Sequence, residues 1–134
     1  MKILVTGSAG FIGSALVLRL LARHAKHPNY THLRIDLADR QAIEDAFKTH
    51  QPQRVVNLAA QAGVRYSIDN PLAYIDSNIV GFAHILEGCR HNAVEHLVYA
   101  SSSSVYGANT AMPFSVHHNV DPLVAGFAQL TLTY

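Results

Sequence analysis

Short apolar runs alternate along the chain with longer stretches in which apolar residues recur at helical spacing. The short runs are rich in β-branched residues and predict strands at residues 2–6, 32–36, 54–59 and 96–100. The longer stretches predict helices at residues 11–24, 39–50 and 71–92. Because strands that alternate with helices build βαβ units, we expect an α/β fold, a doubly wound parallel sheet with both faces covered.

The helix predicted at residues 39–50 has the clearest polar and apolar faces. Asp39 is its candidate N-cap, because an Asp side chain can accept a hydrogen bond from a free amide of the first turn. Ile43, Ala46 and Phe47 share one face and form its predicted inner stripe.

The composition narrows the class of protein. The chain of 134 residues is 49% hydrophobic and 14% charged, which argues against intrinsic disorder. A formal net charge of +1 indicates no nucleic-acid-binding face. We see no membrane span or signal peptide and expect a cytoplasmic location. Cys89 is the single cysteine, which excludes an internal disulfide and favours a structural thiol.

Nine histidines invite a search for a metal site. His117 and His118 are adjacent, so their side chains would diverge, and no cluster of carboxylates or cysteines completes a ligand set. We expect no metal.

Three glycines separate the first predicted strand from the first predicted helix. Gly7 permits a tight turn, Gly10 lets the backbone approach a pyrophosphate, and Gly13 lets the helix pack closely on the strand. The helix N-terminus then offers free amides and a partial positive charge to phosphate oxygens. A purely structural turn is the alternative, and the position between strand and helix favours a dinucleotide site.

Four serines, residues 101–104, directly follow the last predicted strand. Ligands of open α/β sheets bind beyond the carboxyl ends of the strands. We therefore interpret this run as part of a binding site, with a flexible loop as the alternative.

Three motifs carry a resemblance to a known family. They are the Gly-x-x-Gly-x-x-Gly turn, residues 57–67 (NLAAQAGVRYS) and residues 99–107 (YASSSSVYG). Together they resemble the extended short-chain dehydrogenases/reductases, specifically the NAD-dependent epimerase/dehydratase family, and within it the UDP-glucuronate 4-epimerases. The resemblance implies a Rossmann-like sheet, NAD as cofactor, a nucleotide-sugar substrate of the UDP-uronate class, and a homodimer as one allowed assembly.

The resemblance also implies roles for individual residues. Those expected to contact NAD are Gly7, Gly10, Phe11, Ile12, Gly13, Asp36, Leu37, Leu58, Ala59, Ala60, Ala62 and Asn78. Ser102 matches the catalytic serine or threonine that hydrogen-bonds the sugar hydroxyl, and Ser103 is a neighbouring substrate-site candidate. Arg65 would suit a carboxylate or a diphosphate. A surface salt bridge is the alternative for Arg65, and a solvated helix position is the alternative for Asn78.

The sequence departs from the family pattern in its first half. The family has a second strand whose terminal acidic residue holds the adenosine ribose, whereas here the first helix leads within a few residues into residues 33–37 (LRIDL). We interpret this as deletion of the second strand, which leaves residues 32–36 as the third. In the alternative, residues 32–36 move into the vacant position and Asp36 binds the ribose. Either way, we expect a changed strand order or marginal stability.

The second departure lies near the C-terminus. The family's catalysis uses Tyr-x-x-x-Lys, but Phe127 and Thr131 stand in those two positions, and a phenyl ring has no proton to exchange. We expect residues 1–121 to form a partial NAD-binding Rossmann domain without the substrate-binding domain. We expect residues 122–134 to form a divergent tail, which a frameshift would explain.

These observations leave three hypotheses for function. The chain is a working nucleotide-sugar epimerase, a nucleotide-binding module without chemistry, or a non-functional remnant. We favour the epimerase family with impaired catalysis by this chain.

Overall fold

Three parallel strands form a sheet in the part of the chain that the structure describes. This computed structural model describes residues 1–24, 29–101, 103–106, 112–115 and 117. The strands lie in the order β1-β2-β3 and comprise β1 (Ile3–Thr6), β2 (Arg54–Asn57) and β3 (His96–Tyr99). Each of them falls within a run predicted from the sequence.

Helices connect the strands. They are α1 (Phe11–Arg23), α2 (Arg40–His50), α3 (Val64–Asp69), α4 (Pro71–Tyr74) and α5 (Gly81–His91). A π-helical segment, Ile75–Val80, joins α4 to α5, and a 3-10 turn covers Ser103–Tyr106. Within the described ranges, no helix combines the length and apolar character that crossing a membrane requires.

The core lies on the face of the sheet that α2 and α5 cover. Its buried residues are Ile43, Phe47, Val55 and Ile85. The register aligns Leu4 and Leu97 with Val55 in one row, and both pack against this cluster. Cys89 is half-buried here, and burial raises the pKa of its thiol, which keeps the thiol protonated near neutral pH.

The opposite face of the sheet is less covered than the sequence predicts. Val5, Val56 and Val98 form a row that alternates with the core row and so points to the other side. Val98 is 47% exposed, while Val5 and Val56 are only partly buried. α2 and α5 pack on the first face and α1 contacts β1, and the second face is only partly covered by the residues that the structure describes.

The helix α2 confirms the features predicted for residues 39–50. Asp39 caps it by accepting a hydrogen bond from the Ala42 amide at 3.1 Å. Ile43 and Phe47 are buried on its inner face, and Ala46 is partly buried. Because Phe47 is fully buried and contacts α5, this helix fixes the spacing of the core.

Residues 32–36 form no strand in the structure, so that prediction is wrong. The chain turns instead, with the Asp39 amide donating to the Asp36 carbonyl oxygen at 3.0 Å. Ile35 and Leu37 pack against the core of α2 and α5. Their apolar side chains are thus partly buried against the core without joining the sheet, so the alternative in which this segment takes the vacant strand position is also wrong.

The strand order is that of a doubly wound sheet with strands left out. In the order 3-2-1-4-5-6 the first strand pairs with the fourth, and the fourth with the fifth. Residues 54–57 and 96–99 correspond to the fourth and fifth strands, and β1 and β3 flank β2 accordingly. The described strands therefore keep the expected neighbours, and marginal stability stays a prediction.

The helix predicted at residues 71–92 is present, but its backbone changes type along its length. The π-helical segment interrupts it, and a separate helix, α3, precedes it. Apolar residues recur every three to four positions through the π-helical segment. The sequence pattern therefore does not reveal that this turn contains one residue more than an α-helical turn.

We expect Gly88→Ala to destabilise the fold by about 1–2 kcal/mol. An alanine Cβ would lie 2.5, 2.6 and 2.9 Å from three ring carbons of Phe47, and this overpacking outweighs the roughly 1 kcal/mol that alanine gains in a helix interior. Urea unfolding measures the change. Phe47→Leu should cost less in the Gly88→Ala background than alone, and a Gly88→Ala variant more stable than the native chain would contradict the packing argument.

Candidate functional site

The glycine turn between β1 and α1 is tightly closed. Gly7 has φ +68°, a left-handed conformation that favours glycine, and its carbonyl oxygen accepts a 2.9 Å hydrogen bond from the Gly10 amide. An alanine Cβ at Gly13 would overlap that same carbonyl oxygen and lie 2.7 Å from the carbonyl carbon. Gly13 is buried, so α1 starts in direct contact with the turn.

The first turn of α1 presents free amides. Gly10 is the N-cap residue and has no side-chain oxygen to offer, and no acidic residue lies in the first turn. Helix geometry leaves the amides of Phe11, Ile12 and Gly13 without intrahelical acceptors. The Phe11 and Ile12 side chains are exposed. This end of α1 therefore suits an anion held by backbone amides.

The loop after β2, residues 58–63, lies against the glycine turn. A Cβ on Gly7 would come within 2.8 Å of the Ala59 nitrogen and the Leu58 carbonyl carbon. Only a residue without a side chain permits this approach. The structure thus brings together two segments that the resemblance assigns to the same cofactor.

Thr6 holds the beginning of the 58–63 loop by hydrogen bonds. Its buried hydroxyl donates to Asn57 Oδ1 at 2.6 Å and accepts hydrogen bonds from the Leu58 and Ala59 amides, both at 3.2 Å. The last residue of β1 therefore positions the loop that follows the adjacent strand.

Asn78 and Tyr74 form hydrogen bonds with the end of the same loop. Asn78 pairs with both backbone groups of Gln61, accepting from the amide at 2.8 Å and donating to the carbonyl oxygen at 3.2 Å. The Tyr74 hydroxyl donates to the Ala62 carbonyl oxygen at 3.0 Å and also contacts the Gly63 carbonyl oxygen. The described contacts of Asn78 are thus with the loop backbone, and its role toward NAD stays a prediction.

Asp36 and Leu37 lie beside the start of α5. Asp36 is exposed and accepts a 2.9 Å hydrogen bond from the Ala38 amide. The Leu37 carbonyl oxygen lies 2.8 Å from Nδ1 of His84, which must donate because the carbonyl can only accept. A Cβ on Gly81 would lie 2.7 Å from Leu37 Cβ, so the helix approaches this turn closely.

The predicted substrate and catalytic residues are less fully described. Arg65 is exposed on α3. Ser103 begins the 3-10 turn after β3, at the carboxyl end of the sheet. Ser102, Phe127 and Thr131 lie outside the described residues, so their assignments stay predictions from the sequence.

Sequence reasoning missed Thr6 and Tyr74 as residues that hold the 58–63 loop. A threonine directly before a glycine turn is typical of a strand end, and an aromatic residue within a helical pattern is typical of a core. The four-residue spacing between Tyr74 and Asn78 was the available signal, because side chains at i and i+4 share a helix face.

Comparison with known proteins identifies the family. The model of the NAD dependent epimerase/dehydratase family matches residues 3–126. The chain belongs to this family. The extent of the match covers the glycine turn, the 58–63 loop and the serine run.

The family members most informative for function are longer than this chain. Protein CapI of Staphylococcus aureus is 47% identical over 145 residues, which cover 90% of this chain and 43% of that protein. A probable UDP-glucuronate 4-epimerase of Rhizobium meliloti (strain 1021) is 37% identical, again over 90% of this chain and 43% of that protein. The chain spans less than half the length of these curated relatives.

Solved structures of family enzymes confirm the Rossmann-like fold. The Thermus thermophilus UDP-glucose 4-epimerase complexed with NAD is 32% identical, with a TM-score of 0.72 over 97% of this chain and 48% of that chain. The Thermotoga maritima UDP-glucose 4-epimerase with UDP-glucose is 31% identical, with a TM-score of 0.73 over 83% and 41% of the two chains. With three described strands, this chain forms an incomplete version of that sheet.

The relatives also support the inferred internal deletion. The alignment with CapI is 145 residues long although this whole chain has only 134 residues. Part of that aligned region therefore has no counterpart here, and the place of the missing residues, at the second strand, stays a prediction.

Proposed function

We propose that this chain is the NAD-binding part of a nucleotide-sugar epimerase of the UDP-uronate class, with little catalysis of its own. The observation that carries the proposal is the closed glycine turn at the start of α1. Its glycines allow the turn to close and α1 to begin in contact with it, and the free first-turn amides of α1 would then bind the NAD diphosphate.

The chain supplies further groups around that position. The Asp36-Leu37 turn would flank the adenine, and the 58–63 loop would lie along the rest of the cofactor. Thr6, Tyr74 and Asn78 hold this loop by its backbone. Bound NAD would supply reversible hydride transfer. The residues of this chain therefore bind and orient, and Ser102 would hydrogen-bond the sugar hydroxyl.

The UDP-uronate class rests on the names of relatives and on one side chain. The Rhizobium meliloti relative is named a probable UDP-glucuronate 4-epimerase. The exposed guanidinium of Arg65 can bind a carboxylate or a diphosphate by donating two parallel hydrogen bonds. Under this proposal, Arg65 binds the substrate.

Impaired catalysis rests on Phe127 and Thr131, which occupy the positions of the family's tyrosine and lysine. Neither side chain can transfer a proton at neutral pH, and loss of general acid–base catalysis costs roughly 10²- to 10⁴-fold in rate. This observation favours a second candidate function, a nucleotide-binding module that does no chemistry.

The proposal includes assembly and location. Several large apolar side chains are exposed on the consecutive helices from α3 to α5, namely Ile68, Leu72, Ile75, Ile79 and Leu86. In a homodimer, a second copy of the chain would bury them. A cytoplasmic location agrees with the single cysteine of the sequence.

We expect saturable NADH binding together with very slow epimerisation. The sequence has no tryptophan, so the fluorescence of NADH itself reports binding, with circular dichroism as the control for folding. Conversion of UDP-glucuronate to UDP-galacturonate should be at least ~100-fold slower than with the Rhizobium meliloti relative under the same conditions. A folded chain that shows no saturable binding would refute the proposal, and turnover equal to the relative's would refute the impairment.

A further inference from the structure

We propose that Tyr74 is a positioning residue that sets the shape of the 58–63 loop for cofactor binding. This inference rests on the proposed function, because it concerns the loop along which NAD would lie. Tyr74 does not enter the site itself. It acts on the loop through its hydroxyl group.

The burial of Tyr74 makes its hydroxyl contacts obligatory. The side chain is 2% exposed, and a buried hydroxyl without a partner is costly. Its proton is shared between the carbonyl oxygens of Ala62 and Gly63, with 3.0 Å separating the hydroxyl from the Ala62 oxygen. The phenol therefore fixes the direction of two successive peptide groups at the end of the loop.

The end of the loop needs such a contact because its backbone is permissive there. Gly63 has φ +106°, and a Cβ at this position would lie 3.6 Å from the Tyr74 hydroxyl oxygen. Glycine adopts positive and negative φ with similar ease, so its own preference does not select this conformation. The hydrogen bonds of Tyr74 stabilise the backbone conformation that Gly63 adopts.

The helical region that carries Tyr74 is itself anchored. Asn78, four residues later, holds Gln61 by both backbone groups, and His84 donates to the Leu37 carbonyl oxygen. One helical region, residues 74–84, thus fixes both the 58–63 loop and the Asp36-Leu37 turn. The π-helical segment lies within it, as is frequent at functional sites.

The test compares Tyr74→Phe with two matched controls. Tyr74→Phe keeps the buried ring and removes the hydroxyl, and we expect the NADH dissociation constant to rise roughly 3- to 10-fold. Tyr66→Phe removes another phenol hydroxyl of this region, one that accepts from Asn70 instead of the loop. Ile85→Val lowers stability by loosening the core alone. Both controls should bind NADH as the native chain does.

Hydrogen exchange separates a local effect from general destabilisation. In Tyr74→Phe the amides of residues 61–63 should exchange faster at a temperature where the chain stays folded, while those of β2 stay protected. Ile85→Val should speed exchange in the core without this local change. Binding by Tyr74→Phe equal to that of the native chain, or weakened equally by Ile85→Val, overturns the positioning role.

A second variant keeps the proposal testable if Tyr74→Phe does not fold. Gly63→Ala acts from the loop side. Alanine is strained at φ +106°, while the residues of the 74–84 helical region stay unchanged. It should also weaken NADH binding at least ~3-fold, and native affinity in this variant overturns the inference. A native chain that binds no NADH refutes the proposed function instead, and the exchange of residues 61–63 then still tests whether Tyr74 holds the loop.

Discussion

Replacing Gly13 by alanine is expected to abolish measurable NADH binding and to lower stability by about 3 kcal/mol. The added Cβ would overlap the Gly7 carbonyl oxygen and lie 2.7 Å from Gly7 C and 3.1 Å from Ser8 Cα. All three are backbone atoms of a closed turn and cannot move aside as a side chain would, so the cost lies at the upper end of overpacking. Either α1 shifts away from β1 or the turn opens, and both displace the first-turn amides.

An NADH titration and a thermal unfolding curve measure the two effects of Gly13→Ala. Ser14→Ala is the matched control, because Ser14 lies in the same turn of α1 and its hydroxyl contacts only the Phe11 carbonyl oxygen among its described hydrogen bonds. The control should change stability by less than ~0.5 kcal/mol. Native affinity in Gly13→Ala would show that the turn does not form the cofactor cradle.

Thr6→Val is expected to destabilise the chain by about 2–4 kcal/mol. Valine has nearly the same shape as threonine and suits a strand equally well, so the effect isolates the hydroxyl. Its loss leaves Asn57 Oδ1 without its 2.6 Å donor and the Leu58 and Ala59 amides without their acceptor. Asn57 is 7% exposed, and each unsatisfied buried group costs roughly 1–3 kcal/mol.

Guanidinium unfolding of Thr6→Val beside Thr6→Ser checks this expectation. Serine keeps the hydroxyl and loses one methyl group, so it should cost only about 1 kcal/mol. Equal losses in the two variants would mean that packing of the methyl group, and not the hydrogen-bond network, stabilises the junction of β1 and β2.

Short sequence patterns correctly predicted the features of this fold that neighbouring residues determine. Asp39 caps α2 because an aspartate before a helical stretch can reach the first-turn amides, and Phe47 is buried because its spacing places it on the inner face. Gly7 and Gly13 form the turn because their spacing matches a strand, a tight turn and a helix. Each of these inferences uses residues close to one another in the chain.

The sequence alone was misleading where distant segments decide the outcome. Ile35 and Leu37 have the alternating pattern of a strand, but whether they pair in a sheet or pack on helices depends on which strand is adjacent to β1. The Tyr74 hydroxyl likewise depends on a loop more than ten residues earlier in the chain. The spacing of apolar residues indicates which side chains are buried, but it does not indicate which helix or strand they pack against.

The parallel pairing of the three strands has a consequence for how the chain folds. Thr6 and its partner Asn57 are 51 residues apart, and Arg54 pairs with His96 on its other side, so no strand pair can start as a local hairpin. The entropy lost in closing such long loops has to be offset before the sheet can be stable. The contact between α2 and α5 closes a loop of similar length, since the Gln51 side chain donates to Asn92, 41 residues later. We therefore expect the sheet and the helices that cover it to form together in one cooperative step.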